Sequence, residues 1–77
     1  MKIEGETAVF QDLTIQGPPK LTEEGIELRF PNGDIEVIKG VTRIKANVLT
    51  ILGSVSLDDI TCDIDAVSLN IEGDFRM

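Results

Sequence analysis

The chain has no histidine, no tryptophan and no tyrosine, and a single cysteine among its 77 residues. Without histidine, a serine or cysteine nucleophile lacks its commonest general base. The GxSxG, HExxH, SxxK and P-loop patterns are missing as well. Carboxylate pairs such as Asp58 with Asp59 or Asp63 with Asp65 could supply acid and base, but a small sheet offers no deep pocket to drive their pKa values apart. The expectation is a protein that is not an enzyme and carries no cofactor. Cys62 has no partner for an internal disulfide, and a structural zinc site would need further thiols or imidazoles. Cys62 is expected to be a small buried core residue in a reducing compartment.

Long apolar runs are also missing. The longest apolar-rich run lies around Val48 to Leu52, far too short to span a bilayer, and residues 1–6 lack the apolar segment of a signal peptide. A cytoplasmic protein with no membrane partner is expected. Only three aromatic residues occur, Phe10, Phe30 and Phe75, so the core must be filled by Ile, Leu and Val, which favour strands. No window has helical periodicity, and glycines at 5, 17, 25, 33, 40, 53 and 73 punctuate short alternating runs. The fold class is therefore all-β, in one domain over residues 1–77. A small antiparallel β-hairpin meander forming a sandwich or barrel is expected, with a short β-solenoid or an intertwined trimeric β-structure as the alternative. No repeat of fixed period is evident, because Gly40, Gly53 and Gly73 end segments of unequal length.

Residues 41–66 fold on paper into one hairpin. Gly53-Ser54 suits a type II′ turn, and one extra residue at Asp58-Asp59, a β-bulge, brings Val48 opposite Ile60, Ala46 opposite Cys62, Ile44 opposite Ile64 and Thr42 opposite Ala66. The other face then pairs Lys45 with Asp63 and Arg43 with Asp65. A second hairpin is expected around a four-residue loop at residues 31–34, pairing Phe30 with Ile35, Leu28 with Val37 and Arg29 with Glu36. From Ala8 to Gln16 the alternation changes phase near Asp12, and Pro18-Pro19 ends that strand. Thr22 to Gly25 reads as a turn or one helical turn. Beyond Ala66 the phase changes again, marking a corner or bulge.

A domain of this length buries only roughly 60% of its extended-chain surface, so oligomerisation is a common remedy. In the hairpin register Leu49 and Ile51 face away from Val48 and Leu52, leaving the strand apolar on both sides. Leu49, Ile51 and Phe75 are accordingly expected at a subunit contact. Short alternating strands with scattered glycines are similar to the intertwined trimeric β-structures of virus and phage fibres. That likeness, which covers composition alone, implies a structural protein that assembles with itself as a trimer or other symmetric homo-oligomer.

Net charge is −7, and six acidic residues fall in the last twenty positions against the single base Arg76. Asp58, Asp59, Asp63 and Asp65 form a candidate acidic recognition surface for a basic, nucleic-acid-binding protein, reached by long-range attraction. They are also candidates for a calcium or small-ligand site, although their spacing is not that of an EF-hand. Lys39, Arg43 and Lys45 are the only basic concentration, with no interleaved aromatic, so no direct nucleic-acid contact is expected. Three functions follow: a non-catalytic homo-oligomeric assembly or interaction module, a small acidic inhibitor of a basic protein, or a ligand-binding module.

Overall fold

The computed structural model describes residues 1–76. Nine strands follow in order: β1 (Lys2–Glu4), β2 (Thr7–Gln16), β3 (Lys20–Leu21), β4 (Gly25–Arg29), β5 (Ile35–Lys39), β6 (Arg43–Leu52), β7 (Val55–Ser56), β8 (Asp63–Ile71) and β9 (Phe75–Arg76), with a single 3-10 turn at Leu57–Asp59. The all-β expectation holds. The strands make no closed barrel; they form a four-stranded sheet in the order β1-β2-β6-β8, a three-stranded meander β3-β4-β5 and a short β7-β9 pair.

The hairpin over residues 41–66 is not formed. β6 and β8 run parallel, pairing Arg43 with Asp63, Ile44 with Ile64, Lys45 with Asp65, Ala46 with Ala66, Leu49 with Leu69 and Ile51 with Ile71. β2 joins the other edge of β6 in the same sense, from Thr7 with Arg43 to Gln16 with Leu52. Val55 and Phe75 pair in parallel too, so the chain advances twenty residues from β6 to β8 and from β7 to β9, as in a coil. The paper hairpin fails because its pattern is symmetric about Ile44 and Ile64: basic-Ile-basic faces acidic-Ile-acidic in either direction. Alternation fixes which side chains share a face and leaves strand direction open.

The stack shows a motif that recurs at unequal spacing. Leu-x-Ile-x-Gly occurs at Leu13-Ile15-Gly17, Leu49-Ile51-Gly53 and Leu69-Ile71-Gly73. Pairing places the first two residues of each copy level with those of the next. The steps are 36 and 20 residues because the meander is inserted between the first and second copies. In all three strands pairing skips one level, at Gln11, Asn47 and Val67, and there the inward positions change phase. Ala8, Leu13 and Ile15 of β2 and Ile44, Ala46, Leu49 and Ile51 of β6 therefore all point into one core. A phase change near Asp12 and after Ala66 is as expected from the sequence; the equivalent change at Asn47 makes what looked like a strand apolar on both sides into one with a single interior.

The meander is the second hairpin, shifted by one residue. Phe30 N–H donates to the Asp34 carbonyl at 2.8 Å and Gly33 N–H to the Phe30 carbonyl at 2.9 Å, with Gly33 at φ 95°. These are the marks of a three-residue loop, a tight turn followed by a left-handed glycine, rather than the four-residue loop expected. Leu28 therefore lies opposite Glu36 and Arg29 opposite Ile35. That shift leaves Ile35 and Val37 exposed while Ile26 and Leu28 are wholly buried. Residues 22–24 form a turn, tied by mutual hydrogen bonds between Thr22 and Gly25.

Candidate interaction surface

The two ends of the coil differ. At the front, β1 pairs antiparallel along part of the free edge of β2, with Ile3 opposite Ala8. β4 packs against β2, and its Ile26 and Leu28 join the common core. Ala8 and Ile15 are fully buried and Leu13 nearly so, although β2 is the first level of the stack. The interior at the front is thus covered by the meander, and β1 trims the β2 edge over Thr7–Val9.

The far end lacks both devices. β8 pairs with β6 along one edge, and among the described residues no strand pairs with its second edge over nine residues. Its inward side chains repeat those of β6 but are not covered: Ile64, Ala66 and Ile71 are only half-buried and Leu69 is 46% exposed. Phe75, 44% exposed and paired in parallel with Val55 of the preceding level, adds to this apolar end. An unpaired edge above an incompletely covered core is a ready template for a further strand.

The segments before, along and after β8 also carry exposed carboxylates. Asp58 and Asp59 are exposed in the 3-10 turn, where the Asp59 Oδ2 accepts the Ser56 N–H at 3.1 Å. They therefore shape a turn rather than bulge a strand. Asp63 and Asp65 project from the outer face of β8, and Glu72 and Asp74 are exposed at the corner that follows. Arg43 reaches Asp63 at 3.7 Å, and Lys45 stands level with Asp65. These are the expected opposite-charge pairs with the two acids exchanged, as the parallel direction requires.

Two of the three residues expected at a subunit contact are not at the surface. Leu49 and Ile51 are 0% exposed and belong to the core of their own chain, because the phase change at Asn47 turns them inward. Of the three expected contact residues, Phe75 alone is at the surface. The half-covered aliphatic level of Ile64, Ala66 and Leu69 was not anticipated, and the threefold Leu-x-Ile-x-Gly motif was the signal: it implies a stack, and a stack has a last level.

Cys62 is buried and unpaired, as expected, although it lies beside Asp63 at the level of Thr42 and not opposite Ala46. Burial pushes its thiol above the ordinary value of 9.0; the nearby Asp63 charge adds to this and a backbone hydrogen bond opposes it. Among the described residues no three acidic or cysteine side chains converge as a cation site. A depression of about 110 Å³ is lined by Lys20, Glu27 and Arg29 near Pro18, and a wide, shallow one of about 500 Å³ lies along Val9 to Asp12 beside Met1 and Lys2. No helix among the described residues is long and apolar enough to cross a membrane. No family model, curated protein or solved structure matches the chain.

Proposed function

We propose that the protein is a non-catalytic interaction module which takes up a strand of another chain on the open end of its coil. The observation that carries this reading is the unpaired nine-residue edge of β8 above a half-covered aliphatic core. Strand addition supplies main-chain hydrogen bonds along such an edge, and the exposed aliphatic positions supply the selectivity. Burying Leu69 and Phe75 would also add apolar contact to a chain whose own core is small. A cytoplasmic setting accords with the single unpaired thiol of Cys62.

A photocrosslinking amino acid at position 67 on β8, compared with one at position 11 on the front strand, tests the reading in cells that express the full chain. Val67 is 83% exposed and Gln11 is exposed, so both substitutions leave the core intact. The expected result is a covalent adduct with a polypeptide from position 67 and none from position 11. Equal labelling from the two positions, or none from either, removes the open end as the functional surface.

A further inference from the structure

The chain itself shows what kind of strand fits on β8, because β6 already occupies the opposite edge. Inside, Ile44, Ala46, Leu49 and Ile51 stand level with Ile64, Ala66, Leu69 and Ile71; outside, Arg43 and Lys45 stand level with Asp63 and Asp65. The free edge of β8 presents the same four aliphatic and two acidic side chains to whatever comes next. We infer that the occupant is an extended segment of a different protein in which basic residues alternate with aliphatic ones, added along the free edge of β8. This rests on the reading of the open end as an interaction surface and names the chemistry of its partner.

Charge decides between this partner and a second copy of the chain. Two copies meeting open end to open end would bring together two β8 strands that each carry exposed Asp63 and Asp65, on chains of net charge −7, and that like charge opposes the approach. Two copies stacked head to tail would meet the front end, where β1 occupies part of the β2 edge and β4 packs against that strand. A basic, aliphatic strand meets neither obstacle. It continues the core and repeats outside the arrangement in which Arg43 lies 3.7 Å from Asp63. The net charge of −7 also raises the encounter rate of a cationic segment, an effect that salt screens.

The probe is a fluorescent peptide that copies residues 41–53 of the chain, titrated with the full-length protein, beside a second peptide in which the positions of Arg43 and Lys45 carry glutamate. The first peptide is expected to bind, to shift the amide resonances of β8 more than those of β2, and to weaken about tenfold between about 50 and about 300 mM salt. The charge-reversed peptide is expected to bind at least about tenfold more weakly at the lower salt. Asp63→Asn with Asp65→Asn in the protein is expected to flatten the salt dependence while leaving the fold intact by circular dichroism. Equal binding of both peptides at β8 overturns the basic partner yet upholds strand addition. Failure of both peptides against a monomeric, folded chain overturns strand addition as well. A chain whose mass doubles as salt rises, with its β8 edge closed to peptide, has a second copy as occupant and overturns the partner named here.

Discussion

Gly73 lies against the peptide of Gly53 so closely that a Cβ at position 73 would overlap the Gly53 carbonyl. The two residues end equivalent levels of the coil, and Gly53 turns its corner at φ 93°, a region that L side chains rarely adopt. Gly73→Ala is therefore expected to lower stability by about 1 to 3 kcal/mol, the range for forcing extra atoms into a closed contact. Urea denaturation of this variant, with Ser54→Ala at the exposed corner as a neutral control, is the check. An unchanged midpoint would mean that the two corners are not stacked.

Parallel and antiparallel arrangements of β6 and β8 predict different partners for the same arginine. Arg43 is 3.7 Å from Asp63 in the parallel stack, whereas the antiparallel hairpin would bring it to Asp65. Both side chains of the pair are well exposed, so a double-mutant cycle on Arg43 and Asp63 should give a coupling of only about 0.2 to 1 kcal/mol, salt-dependent and measurable by denaturation. The cycle on Arg43 and Asp65 should give none. Reversal of the two results would restore the hairpin.

Leu49 and Ile51 are wholly enclosed by their own chain. Leu49→Ala is expected to remove about 2 to 5 kcal/mol, a large share of the stability of a domain this small, by the usual loss of transfer energy plus cavity. Leu69→Ala, one level further along and 46% exposed, should remove under half as much. Thermal melts of the two variants rank the levels. Similar losses at both would show that another chain already covers Leu69.

How much of this was legible in the residues follows from what a pattern encodes. The strand from Ala8, its phase change at Asp12, the turn near Thr22 and the second phase change after Ala66 depend on local alternation and turn residues, and all were readable. Strand direction depends on the length and path of the connection, and Arg43-Ile44-Lys45 against Asp63-Ile64-Asp65 satisfies both directions. The loop at residues 31–33 was misread by one residue because the left-handed Gly33 adds a bulge that the Asn-Gly signal alone does not specify. The acidic residues at the open end were recognised as a group, while its aliphatic floor was not. Ile64 and Leu69 look like core residues in sequence and differ from Ile44 and Leu49 only in having no level beyond them.

The thiol of Cys62 gives a pH signature. Burial raises its pKa in the folded chain above the ordinary 9.0, so the folded state holds this proton more tightly than the unfolded state does. The stabilisation is complete below the unfolded value and is lost as pH rises through the folded one, so stability falls on the alkaline side of about 9 and is untouched by this group near neutrality. Cys62→Ala should abolish that alkaline component of the fall in chemical denaturation midpoints. Alkylation by iodoacetamide at neutral pH should be slow in buffer and fast in urea; rapid reaction of the folded chain would place the thiol outside the core.

Hydrogen exchange reads the open edge directly. β6 is paired on both sides from Arg43 to Ile51 except at Asn47, so its amides are expected to exchange slowly, at rates set by opening of the whole coil. β8 is paired on one side, and in a parallel strand successive N–H groups point alternately to the two neighbours. Roughly every second amide between Asp63 and Ile71 should therefore exchange orders of magnitude faster than its neighbours, giving an alternating profile by NMR. Adding the basic peptide should suppress exchange at the fast positions and leave the slow ones unchanged. Uniform protection along β8 in the isolated protein would mean that its second edge is already paired, and the covering strand would then have to come from another copy.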